Sequence, residues 1–373
     1  MKKAYILLEN GAFLEGEAFG TIGTRVGEFI FNTSMSGYQE ILTDPSYKGQ
    51  IVVMTYTQIG NYGTNDEDSE SDKSFVEGFV VKEYSKIASN FRSSLDIDKY
   101  LKKHNIVGIS NVDTRQLTRI LRINGSLKGV ISSETDKKDE LKEMLKKSES
   151  IIGRDMVKYV SCKEPYKWED SLFEFDFAKH KHCKIANGKN ITVIDFGVKR
   201  NILRHLKYVG FNVTVVPAYT YFKDVELLEP DAVFLSNGPG DPRGIDEKWI
   251  GEIKKIILKY PTFGICFGHQ IIARCFNISI YKMKFGHHGG NHPVKELNTN
   301  KIYTTSQNHN YAADESSLKE QGFAVTHINL NDGSVEGMKH KELPIFSVQY
   351  HPESSPGPHD AKHLFAEFAS IIK

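Results

Sequence analysis

Short apolar runs alternate with amphipathic stretches in the C-terminal half of the chain, and this rhythm predicts its fold. Residues 190–195 and 211–216 are rich in β-branched side chains, as buried strands are, and residues 201–207 between them have helical apolar spacing. Strands that alternate with helices form a largely parallel sheet, with functional groups at the carboxyl ends of the strands.

The first 150 residues have a different pattern, with a β-rich start followed by a mixed part. The apolar runs at 4–8, 29–31 and 50–56 predict strands. Two segments predict helices: residues 113–122, which Asp113 caps, and residues 136–148, which read as an exposed helix. The pattern therefore predicts an α/β protein whose N-terminal domain is mixed.

Two polar stretches interrupt these patterns. The acidic stretch 65–72 has no apolar periodicity and predicts a solvated surface loop. The polar stretch 151–189 predicts a connection between a domain at 1–150 and a second domain at 190–373.

Composition narrows the class of protein. The 373 residues carry a formal net charge of +1, so the chain lacks the excess of basic residues that binding to nucleic acid or to a membrane surface would require. The four cysteines (Cys162, Cys183, Cys266 and Cys275) have neither metal-ligand nor disulfide-framework spacing, which favours reduced thiols and a cytoplasmic location. The apolar run before Glu9 is too short for a signal peptide, and no stretch approaches the ~18 apolar residues of a membrane span.

Cys266 lies in the segment most indicative of chemistry. An apolar run ends in Gly264-Ile-Cys-Phe-Gly268, and a helical pattern follows from Gln270. This is the layout of a sharp strand-to-helix turn that exposes a nucleophile, with small residues that let the backbone bend. The N-terminus of the helix favours negative charge and so stabilises a thiolate.

A candidate base and its orienting group occur near the C-terminus. The strand-like run from Ile345 leads to His351-Pro-Glu353. Positions two apart in an extended segment project to the same side, and Pro352 disfavours helix at His351. His351 could therefore accept the thiol proton while Glu353 fixes the imidazole tautomer.

Glycines after a third β-rich run could donate to an oxyanion. The run from Val233 ends in Asn237-Gly-Pro-Gly-Asp-Pro242, which is too punctuated for a helix or a strand. Glycine leaves the backbone N–H open to a ligand. An ordinary turn at a strand end is the alternative.

Other histidines are candidates for a metal site or for the base. His287, His288 and His292 match no zinc spacing, and the neighbouring glycines and Pro293 predict a loop, so we predict no metal site. His269 and His309 read as packing or hydrogen-bonding residues, although the sequence leaves His309 open as the base.

The Cys266, His351 and Asn237 segments together resemble the class I (triad) glutamine amidotransferases over residues 190–373. The resemblance implies that Cys266 is the nucleophile, His351 the general base and then acid, and Glu353 its orienting partner. It also implies oxyanion donors at the N–H groups of Phe267 and Gly238, and glutamine contacts at Gln270 and Gly240.

Further segments resemble the small subunits of carbamoyl phosphate synthetase, and they extend into the N-terminal half, which other amidotransferases of this class lack. These segments are residues 27–40, 43–47, 59–61, 108–118, 195–204, 284–293 and 306–311. The resemblance implies glutamine contacts at Ser46 and Asn308. Asn310 and Tyr311 match two further contacts, but the family pattern there is Gly-Phe.

The resemblance also implies the activity and the partners. Glutamine would be hydrolysed to glutamate and ammonia, and a large subunit would use the ammonia with ATP and bicarbonate to make carbamoyl phosphate for arginine and pyrimidine synthesis. ATP, Mg²⁺ and K⁺ are expected on the large subunit and no cofactor on this chain, where no phosphate-binding P-loop occurs.

Two alternatives remain open at this point. The first is an amidotransferase with another acceptor, as in the anthranilate- or guanylate-forming enzymes. The second is a non-catalytic regulatory subunit that retains the fold.

Overall fold

The computed structural model describes residues 2–172 and 186–372, which form two compact units. The first unit comprises residues 1–154, 284–290 and 355–357, and the second comprises the remaining three stretches. Cys183 lies outside the described residues, as does part of the predicted connection at 151–189.

The first unit holds nine strands and four helices. In chain order they are β1 (Lys3–Leu8), β2 (Phe13–Gly20), β3 (Thr24–Asn32), α1 (Tyr38–Thr43), β4 (Gln50–Met54), β5 (Gln58–Ile59), β6 (Gly78–Val80), β7 (Glu83–Tyr84), α2 (Ile97–Lys103), β8 (Val107–Ser110), α3 (Thr114–Asn124), β9 (Leu127–Ser132) and α4 (Lys138–Lys147).

Seven of these strands close into a barrel in the order β1-β2-β8-β6-β4-β3-β9. The pairs β3–β4, β4–β6 and β6–β8 are parallel, and the remaining pairs are antiparallel. Ile6, Val53 and Ile109 are fully buried in one apolar cluster of this unit. A closed barrel has no edge strand, so each of its seven strands is paired with a neighbour on both sides.

The predicted helices of this unit occur, with one difference. Asp113 caps α3, because its Oδ1 accepts a hydrogen bond from the backbone N–H of Gln116 at 2.8 Å. The prediction of an exposed helix at 136–148 is wrong for one face of α4, because Leu141 and Leu145 are buried against Leu7 and Val130.

The acidic stretch 65–72 is only partly the solvated loop that the sequence predicts. Glu70 is buried, and its backbone N–H donates to the hydroxyl of Thr43 at 2.9 Å. Asp68 forms an ion pair with Arg92 at 2.6 Å. A sequence without apolar periodicity indicates irregular backbone, but it does not show which carboxylates are buried or form ion pairs.

The described residues of the second unit hold the other ten strands and six helices. They are β10 (Tyr166–Trp168), β11 (Asn190–Asp195), α5 (Arg200–Tyr208), β12 (Asn212–Pro217), α6 (Phe222–Glu226), β13 (Ala232–Leu235), α7 (Glu247–Lys259), β14 (Thr262–Ile265), α8 (Phe267–Cys275), β15 (Ile280–Glu296, of which 284–290 groups with the first unit), β16 (Ile302–Ala313), α9 (Glu315–Glu320), β17 (Phe323–Asn329), β18 (Val335–His340), β19 (Ile345–Val348) and α10 (His363–Ile371).

These strands form one sheet in the order β10-β12-β11-β13-β14-β19-β18-β17-β15-β16. The five strands from β12 to β19 are parallel, which confirms the predicted parallel sheet. The strands β18, β17 and β15 extend it in antiparallel pairs. Buried apolar clusters cover both faces, with α5 and α10 contributing to one and α7 and α8 to the other. This two-sided burial explains the continuous apolar runs.

Two sequence predictions for this region are wrong. The stretch 151–189 is more than a connection, because β10 pairs with β12 at the edge of the sheet and Val157 is fully buried. His287, His288 and His292 lie in β15 and not in a loop. This strand accommodates its glycines as local bends, with positive φ at Gly286 and Gly289.

No helix in the described parts of the chain is long and apolar enough to cross a membrane. Cys162, Cys266 and Cys275 are free thiols.

Candidate active site

Cys266 occupies the turn between β14 and α8, at the carboxyl end of a central parallel strand. Its φ of 52° and ψ of −102° are strained for a residue with a Cβ atom. The backbone N–H of Cys266 donates to the carbonyl of Val348 at 2.9 Å, which ties the turn to the end of β19. The predicted strand-to-helix elbow is therefore present.

Glycine is required at Gly268 because the backbones approach closely there. A Cβ at Gly268 would lie 2.1 Å from the carbonyl oxygen of Leu235 on β13. Only a residue without a side chain lets the first turn of α8 pack this closely against the sheet.

The thiol of Cys266 is almost fully buried, so the prediction that the turn exposes the nucleophile is wrong. The residue is 2 % exposed, and Sγ lies 3.4 Å from the carbonyl oxygen of Asn308 on β16. Cys266 is the N-cap residue of α8, and the unpaired N–H groups of a first helical turn favour negative charge at that end.

His351 follows β19 directly and is paired with Glu353. Its backbone N–H donates to the carbonyl of Ser306 at 2.9 Å, and its Nδ1 lies 2.7 Å from Oε1 of Glu353. The two side chains meet as predicted, but not through an extended segment, because the backbone turns after His351. Ser354 continues this turn with a φ of 63°.

The charges on His351 and Glu353 depend on each other. Burial disfavours charge on His351, but the Glu353 carboxylate and then its interactions with Cys266 outweigh it and raise the pKa of His351 to about 10. Burial likewise opposes the charge on Glu353, but Lys199 and His351 lower its pKa to about 2. The arrangement favours an imidazolium next to the sulfur at neutral pH.

Lys199 is a site residue that the sequence reasoning missed. It is 2 % exposed, and its Nζ lies 2.9 Å from Oε1 of Glu353 and 2.6 Å from the carbonyl oxygen of Ser354. A buried lysine must be paired. The available signal was its position just after β11, a strand that ends at the same edge of the sheet as the nucleophile.

The two predicted oxyanion donors are both unengaged. Among the residues that the structure describes, neither Phe267 N–H nor Gly238 N–H donates a hydrogen bond. A Cβ at Gly238 would lie 2.5 Å from the carbonyl oxygen of Phe196, so this loop too depends on glycine. Gly240 follows with a φ of 85°. Open N–H groups in a buried loop are suited to an oxygen that gains charge.

The predicted glutamine contacts of this unit lie on α8 and β16. Gln270 is 2 % exposed, and its Nε2 donates to the carbonyl of Tyr311 and to Oε1 of Gln349, both at 3.1 Å. Within residues 2–172 and 186–372, Oε1 of Gln270 accepts no hydrogen bond. Asn308, Asn310 and Tyr311 are buried on β16.

His309 and His269 lie nearby but are engaged elsewhere. His309 contacts the carbonyl of Tyr311 through Nδ1 at 2.8 Å and Oε1 of Gln307 through Nε2 at 2.9 Å. His269 contacts the hydroxyl of Ser347 through Nδ1 at 2.9 Å, and burial lowers its pKa to about 3. The contacts of His309 therefore favour His351 as the base.

Ser46 belongs to the first unit. It lies in the single turn Pro45–Tyr47 between α1 and β4, where its N–H donates to Oδ1 of Asp44 at 2.9 Å. It is 6 % exposed. Its predicted contact with glutamine stays a prediction.

A buried thiol, an imidazolium, a carboxylate and open N–H donors are the groups that acyl transfer through a cysteine requires. The sequence model of the class-I glutamine amidotransferases matches residues 192–371. The second unit is thus a glutamine amidotransferase domain of the triad class.

The particular family follows from the rest of the chain. The model described as "Carbamoyl-phosphate synthase small chain, CPSase domain" matches residues 6–131. The carbamoyl phosphate synthase small chains of Syntrophotalea carbinolica and Aquifex aeolicus are 50% and 51% identical to this chain, over 100% of it and 98% and 99% of their own lengths. The pyrimidine-specific small chain of Bacillus subtilis is 47% identical over 100% of this chain and 96% of its own length. The chain belongs to the family of carbamoyl phosphate synthase small chains, which confirms the resemblance seen in the sequence.

Proposed function

We propose that this chain hydrolyses L-glutamine at Cys266 and passes the ammonia to a large chain that makes carbamoyl phosphate. The proposal rests mainly on two buried contacts next to the strained Cys266: Lys199 contacts Glu353, and Glu353 contacts His351. The family supplies the acceptor chemistry, since the relatives are named as carbamoyl phosphate synthase small chains.

In the first half-reaction, the thiolate sulfur of Cys266 attacks the side-chain amide carbon of glutamine. The carbonyl π electrons move to oxygen, and the N–H groups of Phe267 and Gly238 stabilise that oxyanion. The imidazolium of His351 gives its proton to the amide nitrogen, the C–N bond breaks, and ammonia leaves a thioester.

In the second half-reaction, His351 accepts a proton from water, and the resulting hydroxide adds to the thioester. The C–S bond breaks and restores the thiolate next to the imidazolium, and the released γ-carboxyl group gives its proton to solvent to leave glutamate. Glu353 holds the imidazole in the required orientation throughout, and Lys199 holds Glu353.

Substrate recognition is assigned to polar groups near the sulfur. The Oε1 of Gln270 is an acceptor suited to the α-ammonium of glutamine, because the amide's Nε2 is already engaged. The family resemblance implies further glutamine contacts at Asn308, Asn310, Tyr311, Gly240 and Ser46.

The partner, the nucleotide and the location are also proposals. The large chain is the expected partner, and ATP with Mg²⁺ and K⁺ is expected on it and not on this chain. The product would serve arginine and pyrimidine synthesis in the cytoplasm.

The test uses the complex with the native large chain. We expect co-purified wild type to form carbamoyl phosphate from glutamine or from ammonium. Cys266→Ser should lose the glutamine-dependent reaction and keep the ammonia-dependent one, because a hydroxyl is a far poorer nucleophile.

Cys162→Ser is the matched control. Cys162 is a free thiol of the same unit, and burial and the nearby Asp195 raise its pKa to about 12, so it is a poor nucleophile. Normal glutamine turnover in Cys266→Ser, or an equal loss in Cys162→Ser, would contradict the assignment.

A further inference from the structure

Arg243 connects the two backbone segments to which glutamine contacts are assigned in the second unit. It lies in the single turn Pro242–Gly244, directly after the Gly238–Gly240 loop. Three hydrogen bonds join its guanidinium to Asp241: Nε to Oδ1 at 2.8 Å, Nε to Oδ2 at 3.2 Å, and Nη2 to Oδ2 at 2.7 Å. The Asp241 side chain is fully buried, so this pair fixes the plane of the guanidinium.

The same guanidinium lies over the ring of Tyr311. Its Cζ is 5.3 Å from the ring centroid, within the range of a cation–π contact. Tyr311 is 3 % exposed and lies where the family pattern has phenylalanine. An aromatic face is therefore retained at this position, with an arginine against it.

Two side chains of α8 also contact the two segments. Gln270 donates to the carbonyl of Tyr311 at 3.1 Å. Arg274 donates from Nη1 to the carbonyls of Pro242 and Ile245, both at 2.7 Å. Each segment is tied separately to the helix that begins at the nucleophile, whereas Arg243 joins the segments to each other.

We propose that Arg243 is a positioning residue for glutamine: its contacts with Asp241 and Tyr311 set the spacing between the Gly238–Gly240 loop and the Asn308–Tyr311 segment. This inference rests on the proposed glutaminase function. The side chain of Arg243 is 47% exposed, so its contribution to global stability is small, and its effect is on the spacing of the two segments.

The test is steady-state glutaminase kinetics on the complex with the large chain. We expect Arg243→Ala to raise KM for glutamine roughly three- to ten-fold with little change in kcat, the range of one cation–π contact. Arg243→Lys keeps the charge but loses the planar fork, so its KM should lie between those of wild type and Arg243→Ala. Tyr311→Leu removes the ring and should raise KM more than Tyr311→Phe.

A double-mutant cycle identifies the contact itself. If the two side chains act through each other, the KM of Arg243→Ala/Tyr311→Leu should rise by less than the product of the single increases. Lys259→Ala is the control, because Lys259 lies over the rings of Phe222 and Tyr260 before the amino end of β14, at the opposite edge of the sheet from Cys266. Its KM should stay at the wild-type value.

Three outcomes would overturn the inference: an unchanged KM in Arg243→Ala, multiplicative effects in the double variant, or a lowered melting temperature without a KM change. If wild type hydrolyses glutamine and any of these holds, only the role of Arg243 is removed. A wild-type complex that uses ammonium but not glutamine would remove the proposed function and this inference together.

Discussion

At the scale of single residues, neighbouring charges outweigh burial at His351. A fully buried imidazole is normally neutral, as His269 is, with its pKa lowered to about 3. His351 is equally buried but faces Glu353 and Cys266, and its pKa is raised. The same side-chain type therefore differs in charge between two positions of one site.

Substitution of His351 should reduce glutaminase activity more than substitution of Glu353. His351→Asn removes the group that transfers protons, so we expect a loss of about 10²–10⁴-fold in glutaminase turnover. Glu353→Gln keeps a hydrogen-bonding group next to Nδ1 and should cost less. Single-turnover thioester formation measures both effects, and wild-type activity in His351→Asn would move the role to His309.

Besides the catalytic pair, His205 gives a pH-dependent contribution to stability. It is 5 % exposed and stacks on Phe365, and burial lowers its pKa to about 4. Between about pH 6.5 and pH 4 the unfolded chain binds a proton at His205 that the folded chain does not, so acid destabilises the fold.

We expect the unfolding free energy of wild type to fall more steeply over this range than that of His205→Leu. The difference should be at most about 1.4 kcal/mol per pH unit. Urea denaturation at pH 6.5, 5.5 and 4.5 measures the two slopes, and equal slopes would show that His205 is protonated when folded.

At the scale of elements, the elbow depends on close packing of α8 against β13. Gly268→Ala places a Cβ 2.1 Å from a backbone oxygen, so the helix or the strand must shift. We expect a loss of about 3 kcal/mol in unfolding free energy, the upper part of the overpacking range.

Gly251→Ala is the matched control on α7, where a Cβ would meet nothing within 4 Å. Alanine is favoured in a helix interior, so this change should stabilise the protein by about 0.5–1 kcal/mol. Thermal denaturation distinguishes the two variants, and equal effects would contradict the packing argument.

Elements with strong local signals could be predicted from the sequence, whereas long-range partners could not. The parallel strands β11 and β12 and the Asp113 cap depend on neighbouring residues, and they occur as predicted. Glycines and Pro293 favour a loop at 286–293, whereas these residues lie in the long strand β15, whose last residues, Val294–Glu296, pair with β17.

Lys199 shows the same limit within the site. The position of Lys199 after β11 places it at the right edge of the sheet, but it does not identify the carboxylate, 154 positions away, that its ammonium group contacts. Only the sheet order, which places the ends of distant strands side by side, brings the pair together.

At the scale of the whole molecule, the proposed contact between Ser46 and glutamine predicts a change in KM. Loss of one hydrogen bond to a charged group of the substrate costs roughly 1.5–3 kcal/mol. Ser46→Ala should therefore raise KM for glutamine about ten-fold or more, with a smaller effect on the ammonia-dependent reaction of the complex. A serine that merely shapes the turn after Pro45 would leave KM unchanged.

The division of the chain limits how the protein can be dissected. The first unit takes residues 284–290 and 355–357 from the C-terminal half, so the chain passes between the units five times, after residues 154, 283, 290, 354 and 357. Within that unit, the N–H of Thr33 donates to the carbonyl of His288, and the ring of Phe31 lies 5.6 Å from that of Phe285. A gene divided after codon 154 would therefore encode an N-terminal product without these partners. The two halves cannot be exchanged between proteins as independent domains, although separate sequence families describe them.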